Sequence, residues 1–202
     1  QMCIRDSLYS IAALPGANAI YLSGQVHQSG GSLTIGADAP IKTINSDLDL
    51  RIQAQSGATA TLANTRFDGV RFASYGDTTA TNVVFDMARL ALGRNLYEAH
   101  GGTHTVTGSS FEFSGTLPNV DQRLHTGLAV YGTGDVTVTG SAFNHLGWGA
   151  TAQAGQLNIV NSTFTGSNAG IVGRYDGKVS IAGASFTDTF TSRITYGVLM
   201  YD

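Results

Sequence analysis

A parallel β-helix, an all-β solenoid with coils of about 21 residues, is the fold class that this sequence predicts. Three observations carry the prediction. A segment recurs six times, anchored on Phe67, Phe85, Phe111, Phe143, Phe164 and Phe186, with anchor spacings of 18, 26, 32, 21 and 22 residues. Ahead of each anchor, apolar and polar residues alternate with the period of two that belongs to a strand. Three residues before each anchor stand Asn64, Asn82, Gly108, Gly140, Asn161 and Gly183, and no other residue type occupies that place. Glycine and asparagine adopt positive φ most readily, so every copy is predicted to bend left-handed at this point.

The elements of a copy follow in order. A first strand directs Leu62, Ala80, Val106, Val138, Ile159 and Ile181 inward, and Thr61, Thr79, Thr105, Thr137, Asn158 and Ser180 outward. After the bend, a second strand carries a small residue (Thr65, Val83, Ser109, Ser141, Ser162, Ala184) and then the Phe itself, pointing in. A third short strand has Gly or Ala leading an apolar pair, at Gly69-Val70, Ala88-Arg89-Leu90, Gly127-Leu128, Gly149-Ala150, Gly170-Ile171 and Gly197-Val198. A turn such as 132–135 or 175–177 closes the coil. One coil alone leaves strand edges unpaired on both sides; stacking at about 4.8 Å pairs them and aligns the Phe and aliphatic columns into one core. The hairpins of a β-sandwich would not place Gly or Asn at a fixed offset in every copy, and no helical period appears. Burial of Val106, Val138, Ile159, Ile181 and the six Phe anchors is therefore expected. Gly140→Val is expected to damage the fold more than Ser141→Val, because the small inward site of Ser141 accommodates part of a valine.

Residues 18–57 keep the alternation at Ile20/Leu22, Leu33/Ile35 and Leu48/Leu50/Ile52 without a Phe anchor. Residues 1–7 do not share the Gly/Thr/Ala-rich texture of the chain and read as non-native sequence, and residues 8–17 read as a leader or linker. Ala17-Asn18-Ala19 resembles a secretory cleavage site, although Pro15 interrupts the apolar stretch before it. The β-helix domain is assigned to residues 18–202, and since the last residues read as a strand, a fragment of a longer chain is expected.

The repeat, with Asn64, Asn82 and Asn161 at one bend, resembles the right-handed parallel β-helix repeat family, the pectate-lyase-like superfamily, whose coils often carry an asparagine ladder at a bend. The resemblance covers about residues 58–202 and implies a right-handed solenoid. It also brings polysaccharide lyase or glycoside hydrolase activity into view. Polygalacturonase-like relatives need Asn-Thr-Asp, Asp-Asp, Gly-His-Gly and Arg-Ile-Lys; this chain has none of the first three and only Arg193-Ile194-Thr195 near the last.

Composition narrows the partners. A single cysteine, Cys3, excludes an internal disulfide framework and a zinc site built on paired thiolates. A net charge of -3, with Lys42 and Lys178 the only lysines, provides no basic stripe, so nucleic acid is not an expected partner. No run approaches the roughly 18–20 apolar residues of a membrane helix.

Chemistry is expected where three insertions leave the coil after the Phe strand: SGTLPNVDQRLHT before Gly127, NHLGW before Gly149 and TDTFTSRITY before Gly197. They would gather Asp121, Arg123, His125, His145, Trp148, Asp188, Arg193 and Tyr196 on one side. Trp148 offers an apolar plate for a sugar ring, Arg123 and Arg193 a bidentate clamp for a uronate carboxylate, and Asp or His a proton acceptor. Asp68, Asp86 and Glu112 each follow an anchor by one position, an acidic column of the ligand type that Ca2+ takes. His100 and His104 bracket a turn and are not on the helix face that a metal-binding pair of that spacing needs. Thr79/Thr81, Thr105/Thr107 and Thr137/Thr139 form outward Thr-x-Thr pairs on three successive coils, an arrangement that ice-binding solenoids share. The expected function is a non-catalytic segment of a secreted or cell-surface β-helix protein, adhesin-like or autotransporter-passenger-like, binding a polysaccharide or cell-surface glycan. The alternatives are a lyase or hydrolase acting on an acidic polysaccharide and, third, an ice-binding solenoid.

Overall fold

Each coil contributes one strand to each of three parallel sheets, of nine, eight and eight strands. The computed structural model describes residues 2–4, 9–11, 20–22, 26–36, 40–43, 51–86, 94–115, 125–187 and 196–201. A coil runs from a first-sheet strand such as Trp148–Ala152 through a turn to a second-sheet strand such as Gln156–Val160. It then bends into a third-sheet strand such as Thr163–Thr165 and returns to the first sheet. Among the described residues there is no helix, and none long and apolar enough to cross a membrane. The fold is the parallel β-helix that the repeat predicts.

The bend between the second and third sheets is where residue choice is most constrained. Asn64, Asn82, Gly108, Gly140, Asn161 and Gly183 all have positive φ, from 48° to 66°. Just beyond it runs a serine ladder. Ser109 Oγ donates to the Thr107 carbonyl and accepts from Val83 N–H of the preceding coil. Ser141 repeats the pattern with Thr139 and Ser109, and Ser162 with Val160 and Ser141. Each hydroxyl thus satisfies a backbone N–H that the turning strand would leave unpaired.

The ladder corrects the expected order of damage at this bend. Ser141→Val removes the acceptor of a buried N–H, at about 1–3 kcal/mol, a cost similar to the roughly 1–3 kcal/mol of a β-branched residue at Gly140. Gly140→Asn should be nearly neutral, because a Cβ there meets nothing within 4 Å and asparagine already holds the same φ at Asn82 and Asn161. Thermal melts of the three variants check this. Two similar destabilisations for Gly140→Val and Ser141→Val, with Gly140→Asn at the wild-type midpoint, are the expected result.

The anchors form one stack. Phe67, Phe85, Phe111, Phe143, Phe164 and Phe186 lie ring on ring with centroids 4.6–5.0 Å apart and interplanar angles of 4–16°. The stack explains the glycines that open the first-sheet strands: a Cβ on Gly149 would lie 2.5 Å from the Phe164 ring, and one on Gly170 2.5 Å from Phe186. Beside the stack, Leu62, Ala80, Val106, Val138 and Ile159 are buried as expected. Ile181 (38% exposed) and Phe186 (39%) are not. They belong to the last described coil, whose strands Lys178–Ala182 and Ser185–Thr187 pair on one side only.

Two other expectations shift. In the first sheet, Phe72 and Tyr97 hold the register position of Leu128, Ala150, Ile171 and Val198. The third strands of those two copies are therefore Arg71–Ser74 and Asn95–Ala99, not Gly69-Val70 and Ala88-Arg89-Leu90. Large aromatic rings fill the inward place there, and residues 88–90 lie outside the described residues. Toward the N-terminus, Met2–Ile4 pairs with Val26–Gln28 and Tyr9–Ile11 with Gly31–Gly36, so strand pairing begins ahead of residue 18. Leu48 and Leu50 lie outside the described residues.

Candidate functional site

The strands of the first sheet end in register, and the residue after each end continues the ladder. Tyr75, His100, Tyr131, Gln153, Arg174 and Tyr201 each donate a backbone N–H to the strand before, at 2.7–2.9 Å. Their planar side chains are thereby spaced one coil apart. Tyr75 and His100 stack at 4.4 Å and 7°, His100 and Tyr131 at 4.9 Å and 14°. Further along, the Arg174 guanidinium lies 4.1 Å from the Trp148 ring centroid and 5.2 Å from that of Tyr201, within cation–π range of both.

Beside this row lies an ionic cluster centred on Glu98. Its Oε1 accepts from Arg71 Nη2 and, at 3.1 Å, from Asn95 Nδ2. Its Oε2 lies 3.2 Å from His100 Nε2 and 3.7 Å from Arg51 Nη1. Asn95 also donates to the Tyr131 hydroxyl at 2.8 Å, which joins the cluster to the row. Glu98 and Arg71 are only 6% and 8% exposed. Burial pushes the Glu98 carboxyl up, but the hydrogen bond from His100, the charge of Arg71 and the bonds from Asn95 and Arg71 outweigh it and hold the group down at about 2. Burial also raises the Tyr131 hydroxyl. The Glu98 carboxylate is charge-compensated and hydrogen-bonded at both oxygens, so it fixes the geometry of the cluster and stays ionised near neutrality.

Of the sequence-predicted site, Asp121, Arg123, Asp188 and Arg193 lie outside the described residues. The described strands that flank these insertions are Ser110–Glu112 and Ser185–Thr187 of the third sheet before them and Thr126–Val130 and Tyr196–Met200 of the first sheet after them. The NHLGW insertion is short: only residues 145–147 separate Ala142–Asn144 from Trp148–Ala152. His145 is exposed in a left-handed conformation (φ 55°) at the end of its strand. His125 is a correction. It is 1% exposed, stacks on Phe113 at 5.8 Å, and neither ring nitrogen has a hydrogen-bond partner among the described residues. Burial holds its pKa down and so favours the uncharged ring in this packed place. Trp148 is a second correction, since Arg174 already covers one face of the plate that a sugar would need. Trp148 and Tyr196 share a register position two strands apart, and the Trp148 N–H bonds the His125 carbonyl at 2.8 Å. The structure therefore gathers His125, Trp148 and Tyr196 in one corner, with Tyr196 exposed.

The acidic column forms in register, Asp68 beside Asp86 beside Glu112, but it is neutralised from within the protein. Arg66 bridges Asp86 and Glu112, Lys42 pairs with Asp68 at 3.2 Å, and Ser114 bonds Asp86. Burial alone would lower the Arg66 pKa; the charges and hydrogen bonds of Asp86 and Glu112 raise it instead. Among the described residues no group of three or more His, Cys, Asp or Glu is placed to hold a metal. His104 is a core residue. Its Nε2 donates to Gly101 O at 2.6 Å and its Nδ1 faces the Tyr97 hydroxyl at 2.7 Å, while burial holds its pKa down.

No protein-family model matches this chain, and no curated protein matches it. The site therefore stands on its geometry. Sequence reasoning missed the row and the Glu98 cluster, although one signal pointed there: Tyr75, His100 and Tyr131 each directly precede a Gly-containing turn.

Proposed function

We propose that this chain is a non-catalytic, glycan-binding stretch of a secreted or cell-surface β-helix protein, and that it takes an acidic polysaccharide along the edge row of the first sheet. The observation that carries the reading is Arg174, a cation held over Trp148 and Tyr201 with no carboxylate partner among the described residues. A guanidinium so oriented offers its outer donors to a uronate carboxylate. The row continues as Gln153, Tyr131 and His100, which present amide, hydroxyl and ring edges one coil apart to successive sugars. Support for the non-catalytic reading comes from the lack of the polygalacturonase-like motifs in the sequence, and from Glu98, a weak base engaged at both carboxylate oxygens. The single cysteine and the Thr/Ser/Gly-rich coils suit an extracellular rod.

A glycan-binding and cleavage screen tests this on wild type, Arg174→Ala and Arg123→Ala/Arg193→Ala. Wild type is expected to bind a uronate polymer and leave it intact. Arg174→Ala should bind more weakly, and raising ionic strength should weaken wild type, since exposed charges are screened over about 8 Å at physiological salt. New chain ends would favour the lyase or hydrolase reading. Equal binding by wild type and Arg174→Ala at low salt would remove the row from the site.

A further inference from the structure

The outer face of the second sheet carries a threonine lattice that the glycan reading does not use. Thr34, Thr61, Thr79, Thr105 and Thr137 occupy one register position on five successive strands. Thr81, Thr107 and Thr139 occupy a second position, two residues further along three of those strands. The columns are one strand spacing apart across the sheet, about 4.8 Å, and two residues apart along it, about 6.6 Å. The inward partners between them, Leu62, Ala80, Val106 and Val138, are buried and pin each strand against the core.

Three properties separate this face from a glycan site. First, it holds no aromatic ring and no charge within the two columns, so it lacks both the plate and the fork by which sugars and uronates are held. Second, the hydroxyls of Thr61, Thr79, Thr81, Thr105, Thr107, Thr137 and Thr139 have no protein hydrogen-bond partner among the described residues and lie on an exposed or half-buried face, open to an outside partner. The serine ladder does the opposite on the next bend, where every hydroxyl is used internally. Third, threonine is stiff at χ1, so the array presents alternating hydroxyl and methyl groups already ordered before anything binds. A two-dimensional, pre-ordered set of hydroxyls and methyls at fixed repeats complements a periodic solid of water, not a flexible chain.

We propose that this face binds ice. The hydroxyls take lattice positions of the first water layer, and the methyls between them hold that layer by limiting its other hydrogen-bond choices. The array ends where Asn158/Val160 and Ser180/Ala182 replace the threonine pairs; on the other side the second column stops at Ala63 while the first continues through Thr61 to Thr34.

Ice growth in the presence of the purified chain tests this directly, read as the gap between melting and freezing points and as inhibition of recrystallisation. Wild type is expected to open such a gap and to facet the crystals. Thr105→Lys, at the centre of the array on an exposed position, should lose most of the gap while keeping the wild-type circular dichroism and melting temperature. Arg174→Ala, on the first sheet, should keep it, which separates this face from the glycan row. Ice that grows in wild-type solution as it does in albumin overturns the proposal whatever the variants do, as does a Thr105→Lys protein as active as wild type.

Discussion

Phe143→Ala is expected to lower the unfolding free energy by about 3–5 kcal/mol, and Phe186→Ala by much less. Phe143 is fully buried and lies between Phe111 at 4.7 Å and Phe164 at 4.6 Å, nearly parallel to both. Truncation removes two offset ring contacts and leaves a void the size of a ring. The neighbours cannot slide in, because each Phe sits on a strand pinned by ladder bonds above and below, and a core that cannot relax keeps its cavity. Phe186 has one ring neighbour among the described residues, Phe164 at 5.0 Å, and is already 39% exposed, so it has less to lose. Urea denaturation of the two variants measures the contrast in midpoint and, because a solenoid's stability is close to a sum of nearest-neighbour terms, also in cooperativity. A broadened or split transition for Phe143→Ala would mark the coil where the stack is interrupted. Equal shifts for the two variants would mean that the stack follows from the fold and does not hold it together.

The Phe stack was legible because three constraints repeat at one offset: an inward ring, a small inward residue and a left-handed bend. Each leaves its own residue type, and insertions elsewhere in the coil do not change the offset. The first sheet was harder to place for the same reason in reverse. It lies beyond the variable connection, so its register can be counted from the anchor only where that connection is short. Gly149 and Gly170 were found because the Phe rings demand glycine beside them; in the two copies led by Phe72 and Tyr97 the aromatic residue itself fills the space, and the glycine signal vanishes. Tyr75, His100 and the Arg71–Glu98 pair belong to those same copies, and Tyr131 closes the strand of the next. Arg71 and Glu98 are 27 residues apart, a separation set by an insertion and not by the repeat, so nothing in the pattern announced their meeting. The acidic column was placed correctly in register, but its neutralising cations, Arg66 and Lys42, sit on outward positions that carry no periodic signal.

Acid should destabilise the protein in a defined window, and Glu98→Gln should remove that dependence at the cost of stability near neutrality. The folded-state pKa of Glu98 is depressed from the ordinary 4.5 to about 2. A carboxylate depressed in the folded state contributes stability above its unfolded pKa, and that contribution is lost as pH falls through the folded one. The window therefore runs from about pH 4.5 down to about pH 2, and the displacement corresponds to about 3 kcal/mol. Glutamine keeps the shape and the bonds from Asn95 but removes the negative charge facing Arg71, Arg51 and His100. Arg71, at 8% exposure, cannot exchange that partner for bulk water, and breaking a buried pair from one side costs about 3–5 kcal/mol. The expected result is a urea midpoint for Glu98→Gln well below wild type at pH 7, with the two curves converging by about pH 2, where wild type has also lost the charge. Parallel curves at all pH values would show that the carboxylate is not what Arg71 depends on. Because Asn95 links Glu98 to the Tyr131 hydroxyl, the same variant should also loosen the His100–Tyr131 end of the row, read as weaker glycan binding at pH 7 in the fraction that remains folded.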